Sequence, residues 1–549
     1  MRLAFDVATV RAAENNLLAQ QSEPDQLMRL AADAVASTAA RLLDAQPGGN
    51  AQGTQGAQGA QGTAMILAGP GGNGGDGLYA GAALARAGRT VYALVPETCH
   101  QPALDAFLAA GGQLTDALPK PTDLLIDAVA GLGSARGLDG AAAEIYAKAT
   151  GLRQPIPVLA VDVPTGIDAQ TGRRAGGDSA GIVVEADATV TFGWARAGHV
   201  HAPECGRIIL TDLALPGAER TFAQELEHLA APMGHIANEP SLPAVHPRGY
   251  EWTAQWTPEL KPVGCTGPIV DPTPGLASDR YAGGGVGICA GSPAYPGAGI
   301  LAATAAVRAT PAMVRVIAHA ATAAPVLAAT PEVVVHPSVA DAGRVQAWLV
   351  GPGRGTDDAA RAELAELLTR PEPLVIDADA VTLLAADAAL RDAVRARHGR
   401  DEITVLTPHA GEFARLYSAA FGNSPDESHS RGDLARELAV ELGAYVVLKG
   451  RITTVTGPES AVGREIFGVN TGNSYAATPG SGDVLGGIVG ALLAQGGEET
   501  HKILLHAVAL HAHAAAVAAE TPEGFAPTSA GRIADAIPQA TARLMHMNR

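Results

Sequence analysis

The sequence predicts two consecutive α/β domains, each built on a largely parallel sheet with helices on both faces. Three observations carry this. Short, continuously apolar runs that end in Gly, Pro or Asp alternate with Ala-rich stretches of helical composition, the pattern of strands buried on both faces. The alternation occurs twice, interrupted over about 216–274 by a stretch where prolines recur and periodicity fades. A chain of 549 residues is also too long for one ordinary core.

In the first half, strands are expected at AMILAGP (64–70), TVYALVP (90–96), DLLIDAV (123–129), PVLAVDVP (157–164) and ATVTFG (188–193), with helices over GLYAGAALARAG (77–88) and near 102–110. Together they describe a doubly wound α/β/α domain. Residues 46–63 are a Gly/Gln/Ala repeat with no apolar side chain large enough to anchor it, and are expected to be a flexible surface insertion. In the second half, strands are expected at GVGICAG (285–291), AWLVGPG (347–353), PLVIDAD (373–379), ITVLTPH (403–409) and YVVLKG (445–450). The boundaries drawn from this pattern are a first domain over 1–222, a Pro-rich linker and entry to the second domain over 223–277, and a second domain over 278–549. The halves show no obvious internal repeat.

Hydrophobic residues make up 47% of the chain but aromatics only 4%, so Ala, Val, Leu and Ile must fill the cores. The net charge of −18 argues against nucleic acid or an anionic membrane as partner. It leaves room for a small phosphorylated ligand held by backbone N–H groups. Cys99, Cys205, Cys265 and Cys289 form no CxxC pair and no metal-ligand rhythm, which fits a reducing, cytoplasmic compartment. No signal peptide pattern is visible at the N-terminus, and the Ala-rich stretches read as interrupted before they reach membrane-spanning length.

GPGGNGGDG (69–77) lies at the carboxyl end of an expected strand and opens a helix. Glycines there let backbone N–H groups approach a phosphate at a helix N-terminus. Asn73 and Asp76 place side-chain oxygens beside that turn. Two further strands end in Asp127 and in Asp162 with Thr165, and carboxyl strand ends of an open parallel sheet converge on one crevice. Asn73, Asp127 and Thr165 are therefore candidate oxygen ligands for a hard cation, with Asp162 left for proton transfer. The plainer alternative is that each Asp caps the following helix.

GPGGNGGDG, DAVAGLGSARG and VDVPTGIDAQTG resemble the NAD(P)H-hydrate epimerase domain over most of residues 1–215. The resemblance implies a Rossmann-like fold. It also implies contact with the hydrate by Gly72, Asn73, Gly74, Gly75 and Asp76 and by Gly131, Leu132, Gly133, Ser134, Ala135, Arg136 and Gly137. Asp162 would contact the hydrate and act as acid/base, and Asn73, Asp127 and Thr165 would hold potassium. Gly72 stands where many members have a second Asn, and Arg196 where Lys is usual.

TPGSGDVLGG (478–487) is the sharpest motif of the second half. Gly480, Ser481 and Gly482 can aim successive N–H groups at a transferring phosphoryl group, and Asp483 follows where it can accept the proton of an attacking hydroxyl. A capping Asp in a glycine turn is the alternative. Before it come AGSPAYPGAGILAA, GPGRG, IDADAV, LTPHAGEF and LKGRITTV, in that order. Together these resemble the ADP-dependent NAD(P)H-hydrate dehydratases over about 278–535, which implies a ribokinase-like fold. By position, Ala298, Gly353, His409 and Asp483 would contact the hydrate, and Lys449, Gly450, Arg451, Ile452, Thr453 and Gly482 the nucleotide. Ala410 replaces the usual Pro, and Asp279-Arg280 the usual His-Lys.

The combined resemblance implies a bifunctional repair enzyme. One half epimerises hydrated NAD(P)H with bound K+. The other dehydrates one epimer using ADP with Mg2+, releasing AMP and phosphate. The expected partners are these small molecules, with a homo-oligomer as the assembly. Two rivals stay open: a small-molecule or vitamin kinase, because Gly-x-Gly-Asp is shared among ribokinase-like enzymes, and a non-catalytic nucleotide sensor.

Overall fold

The computed structural model describes residues 2–44, 62–133, 136–152, 154–176, 181–238, 271–273, 276, 283–426, 428–458, 465–470 and 472–547. They fall into two compact units, one holding residues 2–236 and the other 283–547. The Gly/Gln insertion up to residue 61, Ser134, Ala135, Asp279-Arg280 and most of the expected linker lie outside the described residues.

The sheet of the first unit has seven strands in the spatial order Gln113–Leu114, Thr90–Leu94, Thr63–Ala68, Leu124–Ala128, Val158–Val161, Ala188–Phe192 and Arg207–Thr211. Every neighbouring pair is parallel. Alternate residues of one strand enter different cores. Ala64, Ile66 and Ala68 pack with Leu78, Phe107 and the helices Val7–Leu18 and Gln26–Asp44, while Met65 and Leu67 pack with Ile145, Tyr146 and Val158. Thr63, assigned to the insertion by sequence, is the first residue of its strand.

Two boundaries differ from expectation. The helix expected at 77–88 spans Gly72–Arg86, so the glycine turn is its first turn. The strand end and the helix start approach so closely that a Cβ on Gly74 would lie 2.0 Å from the Gly69 carbonyl oxygen. The expected linker is also folded at its beginning. Helix Phe222–Leu229 starts with a capping box between Thr221 and Gln224, buries Phe222 and Leu226, and packs on Val7–Leu18. Strand Gly234–Asn238 pairs antiparallel with Arg2–Phe5. Frequent prolines masked the short i, i+4 apolar pattern of this helix.

The sheet of the second unit runs Val334–His336, Met313–Ile317, Gly285–Cys289, Ala347–Val350, Leu374–Ile376, Thr404–Leu406 and Tyr445–Leu448, all parallel. The antiparallel strands Ile452–Thr456 and Phe467–Asn470 follow. One face carries Pro296–Ala309, Ser481–Gln495, Thr500–Ala519 and Ala530–Met547 over Val286, Ile288 and Leu349. The other carries Asp379–Ala386, Ala410–Phe421 and Arg431–Leu442 over Trp348, Val350 and Ile376. Thr500–Ala519 corrects one expectation, because it is long and apolar enough to cross a membrane. Its apolarity is explained by burial of 83% of its apolar window inside the unit.

Candidate functional site

In the first unit the strand order reverses between Thr63–Ala68 and Leu124–Ala128, and an open α/β sheet places its ligand crevice at such a point. Asn73, in the first turn of Gly72–Arg86, ties the neighbouring strand ends together. Its Nδ2 donates to the Ala130 carbonyl at 2.5 Å and to the Val161 carbonyl at 2.8 Å. Asp127 is buried. Its Oδ2 accepts from the Thr165 N–H at 2.8 Å and its Oδ1 from the Thr165 hydroxyl at 2.7 Å, and that hydroxyl accepts from the Ala130 N–H at 3.2 Å. Burial raises the Asp127 pKa against the lowering effect of the Thr165 bonds. The three expected cation ligands thus gather around the Ala130 backbone. A buried carboxylate whose charge is costly, beside neutral oxygens, fits a large monovalent cation.

Asp162 follows strand Val158–Val161 and is buried with its backbone at φ 64, a conformation that costs a non-glycine residue about 1–3 kcal/mol. Four contacts hold it. Its N–H donates to Val190 O at 2.7 Å, and its carbonyl meets His199 Nε2 at 2.9 Å. Its Oδ1 accepts from the Thr191 hydroxyl at 2.9 Å and lies 2.7 Å from the buried Arg196 guanidinium. His199 is pushed down to about 4, first by burial. Two more carboxyls sense this centre. Burial, Asp162 and Glu14 lift Asp76 well above the ordinary carboxylate range, and burial and Asp162 raise Glu14 against Arg196 and Arg11.

The second unit reverses its strand order between Gly285–Cys289 and Ala347–Val350. Ala298 and Gly353 meet there, since a Cβ on Gly353 would lie 2.8 Å from that of Ala298. Gly480, at φ 84, is the N-cap of Ser481–Gln495, which places Gly482 and Asp483 in the first turn, where N–H groups have no intrahelical acceptor. The Ser481 N–H instead donates to Thr478 O at 3.2 Å, and its hydroxyl lies 2.9 Å from His511 Nε2, so Ser481 braces the turn. Lys449 Nζ makes a 2.7 Å ion pair with the buried Asp377 and lies 3.3 Å from the position of a Cβ on Gly482. Asp483 is pushed up to about 6, first by burial, then by Asp377, with Lys449 opposing and Asp379 adding.

Profiles of two families match this chain: NAD(P)H-hydrate dehydratase over residues 286–539 and YjeF-related protein N-terminus over residues 24–198. The bifunctional NAD(P)H-hydrate repair enzyme Nnr of Corynebacterium glutamicum is 38% identical over 99% of this chain and 99% of its own length. The chain belongs to the bifunctional NAD(P)H-hydrate repair enzyme family. The enzyme of that name from Mycobacterium tuberculosis is 41% identical over 90% of each chain. Among solved structures, a ribokinase-like superfamily protein of Enterococcus faecalis V583 is 26% identical, with a TM-score of 0.40 over 50% of this chain and 91% of that one.

Within this family member, the predicted residues are placed unevenly. Gly72 to Asp76 and Gly131 share one rim, where Asn73 Oδ1 lies 3.0 Å from the position of a Cβ on Gly131. The Leu132 carbonyl accepts from Arg11, Gly133 faces open space, and Arg136 is exposed near Asp139. Gly137 packs against Gly166 and Gly181. His409 serves as a helix cap, its Nδ1 accepting from the Gly411 and Glu412 N–H groups at 3.0 and 3.3 Å. The segment Lys449 to Thr453 links strand Tyr445–Leu448 to Ile452–Thr456. There Gly450 packs on Arg431, Arg451 reaches Asn470, Ile452 is buried and the Thr453 hydroxyl donates to Gly450 O. Sequence reasoning missed Glu14, Thr191, His199, Asp377, Arg431 and His511, and read Arg196 only as a departure. Asp377 and Arg196 follow strand ends, so the rule that flagged Asp162 would have found both.

Proposed function

We propose that the first unit interconverts the R and S forms of hydrated NAD(P)H and that the second dehydrates the S form to NAD(P)H at the expense of ADP. The observation that carries this reading is one acid/base carboxylate at each crevice, in a chain matching the repair enzyme over nearly its whole length. In the first unit Asp162 moves the proton, while the helix start at Gly72 to Asp76 and the loop at Gly131 to Gly137 receive the hydrate's phosphates. Potassium, held by Asn73, Asp127 and Thr165, supplies the fixed positive charge that orders these loops.

In the second unit Asp483 removes the proton from the C6 hydroxyl as its oxygen bonds to the β-phosphorus of ADP, and AMP leaves. The N–H groups at Gly480 to Gly482 face the transferring phosphoryl group, with those of Gly482 and Asp483 unspent in the helix. Elimination of the resulting phosphate ester then gives NAD(P)H and phosphate. Ala298, Gly353 and His409 border the hydrate, and Lys449 to Thr453 with Gly482 border the nucleotide. No group of three or more His, Cys, Asp or Glu among the described residues could hold a metal. Mg2+ would therefore enter on the nucleotide phosphates, the usual habit of that ion.

Free thiols at Cys99, Cys205 and Cys289 support a reducing, cytoplasmic setting. The homo-oligomer is tested by light scattering. The activity is tested with a mixed-epimer hydrate and ADP. Full recovery of reduced-nicotinamide absorbance, with equimolar AMP and phosphate, is expected. Recovery that stops at one epimer refutes the first-unit reading. Phosphorylated vitamin alcohols without dehydration would favour the kinase, and stoichiometric binding without turnover the sensor.

A further inference from the structure

Asp162 is held from more sides than a general base requires, and the holding groups are themselves held. The Arg196 Nη1 donates to Phe192 O at 2.9 Å and to Trp194 O at 2.8 Å, which anchors the guanidinium at the end of strand Ala188–Phe192. Its Nη2 is left for Asp162 Oδ1. Its Nε is buried without a hydrogen-bond partner, a cost that packing alone would not retain. The Arg196 N–H donates to His199 Nδ1 at 3.1 Å, so the neutral ring carries its proton on Nε2 and donates it to the Asp162 carbonyl. Arg196 therefore reaches Asp162 twice, directly at the carboxylate and through His199 at the backbone.

We infer that Arg196 and His199 are positioning residues that, with Thr191, fix the Asp162 carboxylate with Oδ1 occupied and Oδ2 presented to the reacting hydrate. Two donors fill Oδ1, whereas Oδ2 has no hydrogen-bond donor among the described residues. The positive φ of Asp162 turns the side chain out of the strand, and the His199 bond to its carbonyl keeps it so. Asp76, Glu14 and Cys205 also sense the Asp162 charge. Arg196 is the one cation paired to Asp162 among the described residues.

The inference rests on the epimerase reading of Asp162. Its test uses the full chain and separated hydrate epimers without ADP, so that only epimerisation is read. Arg196→Met is expected to lower kcat about 100-fold, the usual effect of a small misplacement of a reacting group, while KM changes less than about threefold. Arg196→Lys should recover most of that loss, and Thr191→Val should lower kcat about tenfold. Nitrogen NMR should show His199 neutral, with its proton on Nε2, until the pH falls to about 4. Unchanged kcat in Thr191→Val and Arg196→Met, a loss confined to KM, or a His199 ring that protonates in the ordinary histidine range overturns the frame. If Arg196→Met does not fold, Thr191→Val and Arg196→Lys decide by the same criteria. A wild-type chain that never equilibrates the epimers overturns the epimerase reading itself. Wild-type activity with indifferent variants overturns the frame alone.

Discussion

The two units share a strand order although their sequences show no repeat. In each, the third, second, first, fourth, fifth, sixth and seventh strands lie side by side, ignoring the antiparallel pair that ends the second sheet. In each, the residue directly after the fifth strand is a buried aspartate in a 2.7 Å ion pair, Asp162 with Arg196 and Asp377 with Lys449. The proposed chemistry separates them. In the first unit the paired aspartate is the proposed base. In the second the proposed base is Asp483, half-buried at a helix start, and the paired Asp377 lifts it toward neutrality. One scaffold position can thus carry the reacting group or tune it, depending on which loop reaches over the crevice.

The strongest challenge to this contrast is a reciprocal pair of substitutions. Asp483→Asn should reduce ADP-dependent dehydration by about 10³-fold or more and leave epimerisation intact, and Asp162→Asn should do the reverse, since each removes a general base. Near wild-type dehydration by Asp483→Asn breaks the assignment. A smaller effect, about tenfold, is expected of Asp127→Ala on epimerisation, because it removes one cation ligand and the partner of Thr165. The potassium dependence should vanish with it, while dehydration of the S form is unaffected. A variant that keeps its potassium response refutes the ligand set.

Asp377→Asn sharpens the tuning half of the comparison. Dehydration requires ionised Asp483, so the wild-type rate should fall as pH drops through about 6. Asp377 raises that pKa and Lys449 lowers it. Removing the Asp377 charge therefore moves the acid limb to lower pH, and a limb that stays in place shows the two carboxyls to be uncoupled. The smallest effect is expected of Thr221→Ala, which should cost about 1 kcal/mol of first-unit stability in denaturant melts without changing either activity. No loss would show that the capping box does not fasten helix Phe222–Leu229.

Much of this was legible in the sequence. The strands at 64–68, 124–128, 158–161 and 188–192 lie inside the apolar runs that predicted them. Asn73, Asp127 and Thr165 gather as the strand-end rule implies. The misses have a common physical cause. Short elements such as Gln113–Leu114, Ala195–Arg196 and Phe222–Leu229 carry too few residues for a period to show. His409 looked like a site residue, yet its ring is committed to its own helix start, which only the backbone geometry reveals.

By itself the sequence determined the two α/β sheets, the glycine turns at their strand ends and the acidic residues beside them. These features depend on local pattern: apolar runs long enough to cross a core, and glycines where backbones must touch. The tertiary structure alone decided which cation each aspartate meets. Lys449 finds Asp377 across 72 positions of the chain because the fifth and seventh strands are separated only by the sixth. Arg196 finds Asp162 because the chain returns over the crevice after the sixth strand. Pairings of this kind follow from strand order and burial, which bring distant residues into a water-poor space where opposite charges must meet.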